Sequence, residues 1–467
     1  MNVLFVHFGT DFLEKILEVT DWRIEVLIEN TDFHREFYKN NTRINKIYIR
    51  DDFHNNNNFC DFNYNDLNQH WFSQLKIENF FQRSMEDYSI GKYDYYRGFA
   101  LMNRIFDEHK IDIVLMDSFA EGQVSERLAS SMAIKRGIPV YTLEPNMFGK
   151  RIISYNNAER LITIKRDKKE NIEGSLFYRV DWNSYVDESP IYHYPVLKNP
   201  IVKKLEEFVY KYFGELGVDL CSCIYTRSNR KNRFGVTFTE RLGIYLRNRD
   251  VDKYLDKISC GKYNPKCSYI YYSLHFEPEA TVSSRTTMDS QLVALQMLSN
   301  TLPAGWIIYV KEHPHQFLYN KKGLYGRDIA FFKSRRYYRE ICRMKNVVIL
   351  PRDTSNKELI MNSKSVASMS GTVTSEAISM NKPALLFGAE QTFYRYVSNL
   401  FIIQSYKDCC KAMSLIYNGY MPDYSDFENI VDKYLFSDNL IGYNEAINAI
   451  KDDYCRNIKG VYENDNK

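Results

Sequence analysis

The chain has 467 residues, longer than one core usually grows, so two domains with room for an insertion are the natural expectation. Sixty-two Lys and Arg against 59 Asp and Glu leave a formal charge of +3, too weak a global field to favour nucleic acid as a partner. With 44% hydrophobic and 26% charged residues and no run of 18 apolar residues, the composition is that of a soluble globular protein and excludes a spanning helix.

The first seven-residue apolar run, NVLFVHF at 2–8, ends at Gly9 and Thr10 and reads as a buried parallel strand opening into a loop and helix. It lacks the basic start of a signal peptide. RIEVLIE from Arg23, IDIVLMD from Ile111 and IPVYTLE from Ile138 give further strands, with a helix through ERLASSMAIKRG, and this alternation predicts a parallel sheet. Between them DDFHNNNNFCDFNYND has no periodicity and reads as an exposed loop. Residues 1–175 are thus expected to form one Rossmann-like lobe.

From 176 to 265 the pattern is irregular, a linker or insertion. It carries RSNRKNRFGVTFTERLGIYLRNRD, which suits a membrane surface or an anionic acceptor as well as a solvated basic helix face. The βαβ rhythm returns at 266–403 with CSYIYYSLHF, a helix through MDSQLVALQMLSN, then GWIIYVKEHP, NVVILP, SVASMS and PALLFG as strands. A mainly helical tail fills 404–467. The expected class is α/β: two Rossmann-like lobes with parallel sheets facing a central cleft, and a helical C-terminal tail. Nine scattered cysteines, without a CxxC pair, place the chain in reducing cytoplasm.

Open α/β sheets bind ligands beyond the carboxyl ends of their strands. In the second lobe three segments sit there: HFEPEAT at 275–281, KEHPHQ at 311–316 and SMSGTVTSEA at 368–377. Ser370, Gly371, Thr372, Thr374 and Ser375 surround the start of a helix near Val373, where free amides and hydroxyls hold a phosphate or simply cap the helix. His313, stiffened by Pro314, and Lys311 stand where charge builds on a leaving phosphate. Glu277 and Glu279 flank Pro278, so an extended backbone sends both carboxylates to one face, as acid, base or nucleophile or as partners of Arg285. The His313 and His315 spacing is that of a metal pair, but no carboxylate or thiol cluster joins it, so no metal is expected. In the first lobe Gly9, Thr10 and Asp11 follow one strand and Asp117, Ser118 and Glu121 another. Asp117 is the candidate acceptor base, or a helix cap, and Arg151 a candidate for an anionic acceptor.

HFEPEAT, the helix with Gln291, the LP at 302–303, YVKEHP and SGTVTSEAISMNKPALLFG together resemble the capsule polysaccharide biosynthesis family, which includes bacterial β-Kdo transferases. The likeness covers about 266–390, with a looser match over 111–155; Glu277 stands where the family's QPE motif has Gln. The resemblance implies a GT-B fold and a metal-independent glycosyltransferase. The enzyme would have no cofactor beyond a CMP-sugar co-substrate carrying Kdo or a related acidic sugar. It would act on a lipid-linked or oligosaccharide acceptor of capsule or lipopolysaccharide, in peripheral contact with the inner membrane. It makes Glu279 a catalytic or donor-positioning carboxylate, His313 and Pro314 the phosphate motif, Ser370 and Thr372 the hydroxyl motif, and Glu376 a ribose ligand. A CDP-polyol phosphotransferase of the teichoic-acid kind and a noncatalytic polysaccharide-binding assembly protein are the alternatives.

Overall fold

A computed structural model of the chain describes residues 1–6, 10–29, 32–59, 63–70, 88–116, 124–145, 150–156, 161–166, 238–277, 290–314, 316–317, 328–388 and 393–456. They fall into two compact units, the first from 1–166 and 425–456, the second from 238–424.

The first unit holds β1 (Asn2–Val6), β2 (Arg23–Glu29), β3 (Ile44–Ile49), β4 (Ile113–Met116), β5 (Val140–Pro145), β6 (Lys150–Asn156) and β7 (Leu161–Thr163). The second holds β8 (Tyr269–Ser273), β9 (Ile307–Lys311), β10 (Val347–Ile349), β11 (Ser365–Ser368), β12 (Ala384–Leu386) and β13 (Phe401–Ile402), while β14 (Leu435–Ser437) returns to the first.

In the first sheet the order is β14-β6-β5-β4-β1-β2-β3, with β7 on β6. β1 to β5 run parallel, and β6, β7 and β14 antiparallel. Val3, Leu4, Phe5 and Val6 are fully buried, which is why this strand is an unbroken apolar run rather than an alternating one. The strand order changes direction between β1 and β4. The segments that follow those two strands, with Gly9, Asp117, Ser118 and Glu121, lie outside the described residues.

The second sheet is wholly parallel, in the order β10-β9-β8-β11-β12-β13. Numbered along the chain this is 3-2-1-4-5-6, the doubly wound Rossmann order, with its switch point between β8 and β11. Four of its helices start on serine caps: Ser290, Ser334, Ser355 and Ser405 each accept a hydrogen bond from a backbone N–H in the first turn. The expected class, α/β with two Rossmann-like units and helices toward the C-terminus, is what the chain forms.

Three readings change. Asp52 accepts from the Ile49 amide and Asn63 from the Asn65 amide, so two short helices, Arg50–Asn55 and Tyr64–Asn68, bound the Asn-rich stretch expected as loop. The irregular region does not run to 265, because Phe238–Ile258 is a helix. It buries Ile244, Val251 and Leu255, spaced to share one face, and Arg247 on another face pairs with Asp328 at 2.6 Å. Finally, the C-terminal stretch is divided. Tyr406–Tyr417 buries Cys409, Ala412, Met413 and Ile416 in the second core, whereas β14 and Leu440–Tyr454 complete the first, with Ala446, Ile447 and Ile450 against Phe12 and Ile16.

Candidate functional site

The carboxyl ends of β8, β9 and β11 bring His275–Glu277, Glu312–Pro314 and Ser370–Glu376 to the switch point of the second unit. Gly371 closes the gap between two of them. A methyl group there would stand 2.9 Å from Ser368 Oγ, tighter than a real side chain tolerates, and 3.6 Å from His275 Nδ1, an ordinary contact, so the glycine is fitted to the β11 exit itself, which lies against the β8 exit. The Phe276 and His313 rings meet edge to face at 5.8 Å, joining the β8 and β9 exits.

The β8 exit is held by side-chain amides that take the part of a neighbouring strand. Gln291 Oε1 accepts from the His275 amide at 2.6 Å while its Nε2 donates to the His275 carbonyl at 3.2 Å and to the Glu277 carboxylate. Gln316 Oε1 accepts from the Glu277 amide at 2.9 Å and its Nε2 donates back to the Glu277 carbonyl. Both glutamines are buried, with every polar atom of each amide engaged by this short segment. Burial raises the Glu277 pKa, opposed by the Lys333 charge and by the bond from Gln291.

Alternation along β9 sends Lys311 and Glu312 to opposite faces. Lys311 Nζ donates to the Thr354 carbonyl at 2.5 Å and to Asn356 Oδ1 at 2.7 Å, so two of its three protons are spent inside the protein. Burial lowers its pKa to about 8, against the pull of Glu376 and Asp353. Glu376, 5% exposed, is pushed up to about 7 by burial, with Lys311 opposing. These are two buried, opposite, weakly held charges, and Glu376 Oε2, Thr374 Oγ1 and Ser370 Oγ are buried without a hydrogen-bond partner. Such atoms are costly to a fold unless a ligand satisfies them.

Of the expected site residues, the second unit therefore gathers Glu277, Lys311, His313, Pro314, Ser370, Gly371, Thr372, Thr374, Ser375 and Glu376 around one switch point. Thr372 precedes the helix Val373–Ser379 and makes no side-chain cap, and Ser375 Oγ bonds Tyr394 OH at 2.7 Å. Pro314 is exposed. Glu279, Arg285 and His315 lie outside the described residues. In the first unit Thr10 opens the helix Thr10–Val19 and Asp11 is exposed in its first turn. Arg151 acts as a structural tie between β6 and the residue after β14, since its Nε donates to Asp438 at 2.7 Å and its Nη1 to the Leu143 carbonyl at 3.1 Å. Among the described residues no group of three or more His, Cys, Asp or Glu stands together as a metal site.

Sequence reasoning passed over Glu312, Gln316, Lys333 and Asn356. Glu312 had a signal, a carboxylate directly after a buried strand, which demands a buried counter-charge. Gln316 and Lys333 sit in irregular stretches and Asn356 opens the helix Asn356–Asn362, and all three acquire meaning only through tertiary contact.

The sequence matches no protein-family model and no curated protein. Among solved structures it is similar to the UDP-GlcNAc 2-epimerase of Methanocaldococcus jannaschii, with 12% identity, TM-score 0.26, and coverage of 92% of this chain and 98% of that one. It is similar to the Thermosulfurimonas dismutans KpsC β-Kdo 2,7 transferase, with 11% identity, TM-score 0.33, and 96% and 98% coverage. The β-Kdo 2,4 transferase of the same KpsC gives 14% identity, TM-score 0.27, and 65% and 79% coverage. Scores this low leave the fold resting on strand order alone.

Proposed function

We propose that the chain is a metal-independent, GT-B-type glycosyltransferase that takes Kdo or a related acidic sugar from a CMP-sugar and adds it to a capsule or lipopolysaccharide acceptor in the cytoplasm, at the inner face of the membrane. The observation that carries the reading is the set of unpartnered buried atoms, Ser370 Oγ, Thr374 Oγ1 and Glu376 Oε2, at the switch point of a 3-2-1-4-5-6 sheet. A nucleotide offers what each lacks: ribose hydroxyls for a carboxylate, and phosphate oxygens for hydroxyls. The described parts of the segments that resemble the β-Kdo transferase motifs, His275–Glu277, Lys311–Pro314 and Ser370–Glu376, follow the strands that meet at the same place.

In this reading the bond between the anomeric carbon and the phosphate oxygen of the donor breaks, and the negative charge that gathers on the phosphate is met by His313 and the hydroxyls of Ser370 and Thr372. A carboxylate, Glu279 or Asp117, takes the proton of the acceptor hydroxyl that forms the new bond. Lys311 serves the interior beside Glu376 rather than the phosphate.

A donor screen that follows nucleotide release tests the reading. Release of CMP from one sugar nucleotide, with the sugar transferred, supports it. Transfer of glycerol phosphate with release of CMP replaces it with a polyol phosphotransferase, and release from no donor replaces it with a noncatalytic polysaccharide-binding protein.

A further inference from the structure

Lys333 lies outside every motif, yet its side chain is fully buried. Its Nζ donates to the His275 carbonyl at 2.6 Å and to Glu312 Oε1 at 2.8 Å. The same Glu312 oxygen accepts from the His313 amide at 2.7 Å, and Oε2 accepts from Tyr338 OH at 2.6 Å. One ammonium group thus holds the β8 exit directly and the β9 exit through one carboxylate, and its charge also opposes the burial cost of Glu277. A buried Lys–Glu pair contributes little net stability compared with a neutral pair of similar shape, so stability alone is a weak reason for it. Geometry is a better one. His275 and His313 lie two residues past the carboxyl ends of the adjacent strands β8 and β9, where the ladder between those strands has stopped, and Lys333 with Glu312 continues the connection there.

We propose that Lys333 is a positioning residue, which fixes the spacing of the His275–Glu277 and His313 segments so that both face the donor together. This rests on the reading of the switch point as the donor site.

The test is the double variant Lys333→Met with Glu312→Gln, which removes both charges of the pair and leaves Glu277 the hydrogen bond from Gln291. The expected result is a thermal midpoint close to wild type, a kcat for sugar transfer at least about tenfold lower, and a donor KM and CMP Kd within about threefold, because spacing matters most to charge that develops in the transition state. Tyr338→Phe is the milder companion. It withdraws one of the three donors on Glu312 and leaves Lys333 in place, and kcat should fall by about threefold with KM unchanged. A double variant that recovers both thermal midpoint and kcat assigns Lys333 a purely structural role and overturns the proposal, as does an unchanged kcat in Tyr338→Phe. A wild-type chain that neither binds CMP nor releases it from any sugar nucleotide overturns the donor reading and the proposal with it, whereas wild-type turnover matched by the double variant overturns the positioning alone.

Discussion

Glu376→Gln should stabilise the protein, and only above acidic pH. Burial raises this carboxyl from 4.5 to about 7. A raised folded pKa means that its share of stability is fully present below the unfolded value and drains away as pH rises through about 7. At about 1.4 kcal/mol per pH unit, the ionised carboxylate costs about 3 kcal/mol near pH 7.5 and about 0.2 kcal/mol near pH 4. The attraction of Lys311 is already contained in that pKa, and removing Glu376 also withdraws one of the two charges, with Asp353, that hold up the Lys311 pKa against burial. The other groups facing Glu376, Tyr271 and Tyr394, are held neutral by burial. Glutamine keeps the shape and removes the charge, so the variant should melt about 6–12 °C higher than wild type near pH 7.5, and within about 1 °C of it near pH 4, in the calorimetric transition of the second unit. An offset that is equal at the two pH values, or a variant that melts lower near pH 7.5, would refute the claim that this carboxylate is buried at a cost.

CMP affinity should run the other way. If ribose hydroxyls satisfy the ionised Glu376, Kd tightens about tenfold between about pH 6 and pH 8 in wild type and stays flat in Glu376→Gln, as read by titration calorimetry. His313→Ala and Glu279→Gln should both fold, yet lose at least about a hundredfold in kcat, and near-normal turnover in either removes that residue from the mechanism. Gly442→Ala should unfold the first unit selectively. Its Cβ would stand 1.9 Å from the Ser437 carbonyl oxygen, in the helix that completes that core, so a loss of about 3 kcal/mol or more is expected in chemical denaturation, and a loss under about 1 kcal/mol contradicts the packing.

The second unit was largely legible because five of its six parallel strands write themselves as apolar runs, and three of those runs ended in the residues that now surround the switch point. Gly371 was legible too, since glycine after a strand signals a close approach, although the atom it approaches, Ser368 Oγ, was not. What escaped is held by distant contact. Lys333 reaches His275 across 58 positions and Gln316 reaches Glu277 across 39, and a lysine that ends the run IAFF reads like any exposed chain end until its counter-charge is known. β14 escaped for the same reason: three residues in a helical region become a strand only because β6 offers them an antiparallel edge. The helix Phe238–Ile258 carried its own signal in the spacing of Ile244, Val251 and Leu255, masked by the basic residues on its other faces.

The two faces of one strand end explain why the site is both rigid and unsatisfied. On one face, Glu312 receives Lys333, His313 and Tyr338, and two glutamines engage the backbone of the neighbouring exit, so the two strand exits are tied to each other, although the Tyr272 and Tyr337 hydroxyls nearby also keep no partner. On the other face, Glu376, Thr374 and Ser370 keep polar atoms without partners beside a lysine whose charge is itself weakened by burial. Folding alone would favour filling the second face as fully as the first, since each unsatisfied group costs free energy. Strand exits tied by buried polar bonds next to a cluster of unpartnered polar atoms are the pattern expected where a ligand supplies the missing bonds, because the tied side holds the other in place until the ligand arrives.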